Sequence, residues 1–162
     1  MLVDKIKKML DRTILIVAST LLVVLVLGAL WQVFTRYVLQ NPSTFTNELL
    51  GFLLVWTSLL GACYAFGSNK HLALTFVTNK LSGSRKLIIT IINDLFVVFF
   101  AVVILLQGGM DAVNTTMSQT TPILGIQKGL VYTILPISGV LIIMYKLLNV
   151  KNYFQTNQGE GE

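Results

Sequence analysis

Residues 36–71 read RYVLQNPSTFTNELLGFLLVWTSLLGACYAFGSNKH, and this stretch decides the fold. Arg36-Tyr37 precedes a turn signal at Asn41-Pro42. Thr46 and Glu48 follow, and no further charge occurs before Lys70. A helix needs about 20 apolar residues to cross the hydrocarbon core of a bilayer, and Leu49 to Phe66 supplies roughly that run. Glu48 and His71 are therefore predicted at opposite faces of a membrane.

Composition extends this reading to the whole chain. Of 162 residues, 54% are hydrophobic and 12% charged, and the mean hydropathy is +0.76. A soluble domain is about 25% charged. The single cysteine, Cys63, lies within an apolar run, so there is no disulfide framework, CxxC redox pair or thiolate metal site. Cys63 reads as a small packing residue. A net charge of +5 suggests nucleic acid in a soluble protein, but here the basic residues flank apolar runs, which points to membrane topology instead.

Three more crossings are expected around 13–35, 87–107 and 130–148, besides 49–66, in a single membrane domain over residues 1–150 with a polar tail at 151–162. The class is an all-α integral membrane protein. At the N-terminus, Leu2, Ile6, Met9, Leu10 and Ile14 share one helical face opposite Asp4, Lys5, Lys7, Lys8 and Asp11. That pattern predicts a short amphipathic interfacial helix over 2–14 on an anionic leaflet. The run from Thr13 to Phe34 is too long for a signal-peptide core and has no A-x-A-like end, so it reads as a retained crossing. Ten of the twelve Lys and Arg residues fall at the two termini and in the loop from Asn69 to Lys86. Only Arg36 and Lys128 lie in the other two loops. By the positive-inside bias both termini and the 69–86 loop are cytoplasmic. Trp31, Phe34 and Tyr37 sit where an interfacial aromatic belt is expected.

Small residues Ser58, Gly61, Ala62 and Ala65 predict a close-packed seam on the second crossing, whereas Phe96, Phe99 and Phe100 suit the surface of the third. Pro136 is expected to kink the fourth. Among ionisable groups, Asp94 lies about 10 Å inside the cytoplasmic edge of the third crossing, at 1.5 Å per residue from Leu87. Such a group is a site hypothesis by default, and Lys146 is its expected structural partner. Glu48 is placed in the first turn of the second crossing, capped by Thr44 or Thr46, with Arg36 expected as its ion-pair partner. The lone His71 cannot make a haem pair or a histidine-rich metal site. The polar segment from Gly108 to Lys128 reads as a loop of about twenty residues, longer than most connections between packed helices. Its Asp111 and Lys128 are candidates for contacting a soluble partner by charge. There is no HExxH, G-x-S-x-G or P-loop, so no enzyme, cofactor or metal is expected.

The order Gln32, Arg36-Tyr37, Asn41-Pro42, Thr46, Glu48, Trp56, Leu60-Gly61 and His71, followed by Pro122, Leu124-Gly125-Ile126, Tyr132, Pro136 and Gly139, resembles the small membrane subunit (DctQ-type, or Q subunit) of tripartite ATP-independent periplasmic (TRAP) transporters. The resemblance covers residues 13 to 150. Two positions depart from it: Thr75, where the family often has an acidic residue, and Gln127, where it often has proline. The resemblance implies a bacterial inner-membrane subunit of a three-part importer. A periplasmic binding protein captures a carboxylate-bearing solute, sialic acid or a C4-dicarboxylate, and a large membrane subunit moves it in an elevator fashion on a sodium gradient. The small subunit then braces the large one, contacts membrane lipid and helps dock the binding protein. Two other classes stay open, a self-sufficient four-span transporter or channel and a membrane anchor for a redox enzyme. The first needs a ring of polar residues, where Asp94 is the only deep one, and the second needs haem histidines beyond His71.

Overall fold

A computed structural model describes residues 2–67 and 84–157 of the protein, and the side chains of residues 5–67 and 89–149. The described chain is helical apart from its turns. It comprises α1 (Leu2–Tyr37), α2 (Thr44–Gly67), α3 (Ser84–Phe100), a π-helical stretch (Ala101–Gly108), α4 (Gly109–Thr116), α5 (Lys128–Tyr132) and α6 (Ile134–Asn157). Four stretches are long and apolar enough to cross a membrane: Lys5–Tyr37, Thr44–Gly67, Ile89–Thr116 and Lys128–Asn149. The four expected crossings are present, with bounds that run past their apolar cores.

The 2–14 segment is not a separate interfacial element. It forms the first turns of α1, which continues unbroken for 36 residues, about 54 Å at helical rise. Thr13 and Thr20 do not interrupt it, because their hydroxyls donate to the Met9 and Ile16 carbonyls at 2.9 and 2.8 Å, satisfying themselves within the helix. α1 ends where Gln40 adopts φ +50° and the Asn41 N–H returns to the Thr35 carbonyl at 3.1 Å. α2 then starts from Ser43, whose Oγ accepts the Thr46 N–H at 3.3 Å. The cap is thus Ser43, and neither Thr44 nor Thr46 provides it. Ser43 sits three residues before the amide it satisfies, the geometry an N-cap requires.

The third crossing runs without a break from Ser84 through the π-helical stretch to Thr116. The expected twenty-residue loop is therefore only residues 117–127, since 109–116 are helical. Packing explains the difference: Gly129 of α5 lies so close to α4 that an added Cβ would meet the Val113 carbonyl oxygen at 2.8 Å and Met117 Sδ at 2.7 Å. This tertiary contact overrides the weak helix propensity of Asn114, Thr115 and Thr116. The fourth crossing breaks at Thr133, between α5 and α6. Pro136, the third residue of α6, has no N–H to return to the Tyr132 carbonyl, so a break is accommodated there.

The fourth crossing is the centre of the assembly. In its most apolar stretch 39% of residues are buried, against 6% in the first crossing and 11% in the second and third, so most of the surface of those three is free for lipid or protein. Two clusters flank it. Ile14, Leu60, Ile134 and Tyr145 join α1, α2 and α6, while Cys63, Ala101, Leu105 and Ile142 join α2, the π-helical stretch and α6. Gly139 permits the second contact, because a Cβ there would come within 3.1 Å of the Ala101 carbonyl oxygen and Leu105 Cβ. On α2 the buried side is Leu60, Cys63 and Gly67. Ser58 and Gly61 are exposed and Ala62 and Ala65 half-buried, so the predicted small-residue seam is not the internal packing face. The phenylalanines of the third crossing do lie on the surface.

Candidate functional site

Polar contacts collect at the two ends of the helical layer and leave an apolar slab between them. At the end carrying residues 38–43 and 117–127, the central group is Glu48. It lies in the second turn of α2, since the first turn holds no acid, and the helix dipole is not its partner. Its Oε2 accepts the backbone N–H groups of Ile123 at 3.2 Å and Leu124 at 2.9 Å. Arg36 is exposed, and among the described residues no ion pair joins it to Glu48. The expected staple between two side chains is replaced by a clamp from a side chain onto a loop backbone.

The loop is built to present those amides. Thr120 and Gln127 form an isolated antiparallel bridge, with Lys128 N–H on the Gln119 carbonyl at 2.8 Å and Thr121 N–H on the Ile126 carbonyl at 2.9 Å. Buried Thr121 also accepts the Ile126 N–H on its Oγ at 3.0 Å. Gly125 turns the tip at φ +65°, a left-handed conformation that glycine adopts without steric cost. The run Pro122, Leu124-Gly125-Ile126 is thus a small hairpin held down by Glu48. Nearby, the Trp56 indole N–H donates to the Val131 carbonyl at 3.0 Å, tying α2 to α5 beside the Pro136 break. Gln32 donates to Asn47 at 2.8 Å and joins α1 to α2. Tyr37, Asn41 and Pro42 are exposed on this rim, as is Asp111 in the first turn of α4, while Lys128 and Tyr132 are half-buried.

At the opposite end, which carries the start of α1 and the end of α6, four crossings are tied together. Lys146 Nζ donates to Asp94 Oδ1 in an ion pair between α6 and α3. The Tyr145 hydroxyl donates to Asp11 Oδ1 at 2.7 Å, and Lys7 Nζ donates to Asn149 Oδ1 at 2.7 Å. Asn149 Nδ2 reaches the Gly67 carbonyl at 3.4 Å. Gly67 must be glycine here, since a Cβ would overlap the fully buried Tyr145 ring. The sequence reading named Asp94 and Lys146 but missed Asp11, Lys7, Tyr145 and Asn149. The available signal was the polar set Tyr145, Lys146 and Asn149, closing one face of an otherwise apolar helix.

Cys63 is buried, and its Sγ lies 3.6 Å from the Ser138 carbonyl as a weak donor. His71, Thr75 and the basic residues at 70, 80, 85 and 86 fall outside the side chains described. Among the described residues no group of three His, Cys, Asp or Glu could hold a metal ion. The arrangement offers fastened helix ends and two exposed rims.

The model of the DctQ component of tripartite ATP-independent periplasmic transporters matches residues 25–156. A Haemophilus influenzae protein described as a TRAP transporter small permease is 26% identical over 132 residues, covering 82% of this chain and 81% of its own. The Vibrio cholerae sialic acid TRAP transporter small permease protein SiaQ is 25% identical over 146 residues, covering 90% of this chain and 84% of its own. A third relative, the sialic acid TRAP transporter permease protein SiaT of H. influenzae, is 25% identical over 113 residues, which make up 69% of this chain but 18% of that protein.

Proposed function

The chain belongs to the DctQ component family of tripartite ATP-independent periplasmic transporters, and from that premise we propose that it is the fixed scaffold of a binding-protein-dependent importer of an organic carboxylate. Its primary partner is the large membrane subunit, which it braces while that subunit carries solute on a sodium gradient. The observation that carries this reading is the fastening of all four crossings at one end by the Asp94–Lys146, Asp11–Tyr145, Lys7–Asn149 and Asn149–Gly67 contacts. Such a network resists relative sliding of the helices. The SiaT relative supports a large membrane partner, because the part that matches this chain is a minor fraction of that permease. Sialic acid is the proposed solute ahead of a C4-dicarboxylate, supported by the names of two relatives.

The proposed location is the bacterial inner membrane with both termini cytoplasmic, on the ten-to-two distribution of basic residues. The rim with Asp111 and Lys128 then faces the periplasm and contacts the binding protein. Affinity capture from native membranes tests the central point. A large polytopic subunit recovered at one-to-one stoichiometry, with uptake lost when either subunit is deleted, is the expected result. A homo-oligomer that transports solute by itself would overturn it.

A further inference from the structure

We propose that Lys5, Lys8 and Arg12 form a binding stripe for the phosphate of an anionic membrane phospholipid, with its acyl chains lying along the exposed apolar surface of α1. At 100° per residue these three side chains fall within about 60° of one another. All three are exposed, and none makes an ion pair among the described residues. The neighbouring charges are committed elsewhere: Lys7 is held by Asn149, and Asp11 accepts from Tyr145 on the side that faces α6. No described acid shares the sector, which presents three exposed positive charges.

The same sector continues along the helix as Met9, Ile16, Val23, Leu27 and Leu30. These are among the most exposed apolar residues of the chain, from 54% at Ile16 to 67% at Met9. Leu10, Ile14 and Leu21, on the other side of α1, pack inward. Depth fits as well. If Thr13 marks the edge of the hydrocarbon, Arg12 lies about 2 Å and Lys8 about 8 Å beyond it at helical rise, within or at the rim of a headgroup layer about 5–8 Å deep. Lys5 lies about 12 Å out and reaches back on its flexible stem. A line of cations at phosphate level, continuous with an apolar track, matches one acidic phospholipid in both charge and shape.

The inference rests on the chain being a membrane-spanning subunit and not on its partner. Failure to co-purify a large subunit would overturn the function above and leave the lipid preference standing. The test compares spin-labelled phosphatidylglycerol with spin-labelled phosphatidylcholine in phosphatidylcholine vesicles holding the full chain, alone and with the captured large subunit. The expected result is a several-fold preference for phosphatidylglycerol that weakens with salt and falls by up to about fivefold for each of K5Q, K8Q and R12Q. The charge-retaining K5R/K8R variant keeps it. Millimolar inorganic phosphate leaves it in place, whereas displacement by free phosphate would make this a soluble-anion site and overturn the lipid assignment. An unchanged preference in the triple variant would also overturn it, as would its disappearance in the assembled complex, where an acidic partner surface would then occupy the stripe.

Discussion

Removing the Glu48 carboxylate should release the 117–127 hairpin without unfolding the helices. The magnitude follows from two unequal hydrogen bonds. The contact from Leu124 N–H is part-buried at 2.9 Å and charge-assisted, worth about 1.5 kcal/mol. The contact from Ile123 N–H is exposed at 3.2 Å and merits about 0.5 kcal/mol. Their sum of about 2 kcal/mol corresponds to roughly a 30-fold change in the opening equilibrium of the hairpin. E48A should therefore raise amide exchange at residues 119–128 by about that factor, measured by hydrogen exchange with mass spectrometry in detergent or nanodiscs, with the crossings unaffected. E48Q keeps an acceptor oxygen without the charge and should fall between wild type and E48A. R36Q should leave hairpin exchange unchanged, since Arg36 is exposed and does not meet Glu48. Equal effects of R36Q and E48A would refute the clamp and restore the side-chain pair, and unchanged exchange in E48A would show that the hairpin is held by its own bonds.

Either D94N or K146Q alone should lower thermal stability by stranding one partner, while the double variant recovers much of the loss; a well-folded double variant that no longer supports uptake would assign the charge a further role. G67A drives a methyl group into the buried Tyr145 ring and should cost about 1–3 kcal/mol, read as a lower melting temperature, and a neutral result would mean that Tyr145 can move aside. Single cysteines at positions 42 and 116 should react with an impermeant thiol reagent added to intact cells, while position 80 should not; labelling at 80 would reverse the orientation. Reversing the charges of Asp111 and Lys128 should slow binding-protein-dependent uptake at unchanged complex yield, with partial rescue by excess binding protein. Unaltered uptake across ionic strengths would remove these residues from docking.

The crossings were legible because a bilayer leaves a chain few alternatives to an uninterrupted apolar helix, and the runs around Leu49 to Phe66 and Leu130 to Leu148 have that form. The contacts at their ends were legible only in part. Asp94 and Lys146 stand out as charges within apolar runs, and a pair is the economical way to hold them there. Tyr145 with Asp11 is separated by 134 residues, and no local pattern links them. Glu48 has partners with no sequence signature at all, because backbone amides are offered by every residue but proline. Arg36 drew attention as the nearest opposite charge. The Asn114 to Thr121 segment shows a different limit: Asn114, Thr115 and Thr116 are helix, fixed by packing against Gly129, a contact that composition does not register. The small residues of α2 show another, since spacing reveals a stripe but not which neighbour, if any, covers it.

The placement of polar groups bears on whether this subunit conducts solute or braces something that does. Thr13, Thr20, Thr116, Thr133 and Ser138 each return a hydroxyl to a carbonyl three or four residues back, which commits their protons within the helix and removes them as donors to a passing carboxylate. The charged contacts lie toward the helix ends, where they join different helices. Between them Thr57 Oγ1 is the buried side-chain oxygen without a partner among the described residues, and a single hydroxyl cannot replace the hydration shell of sodium, which a transporter must do with several convergent oxygens from broken helices. The break at Thr133 frees the Val131 region for Trp56, whose indole N–H fills it. The interruption at Thr133 is thus used to fasten two helices together. A subunit whose charged contacts join its own helices to one another is suited to hold still.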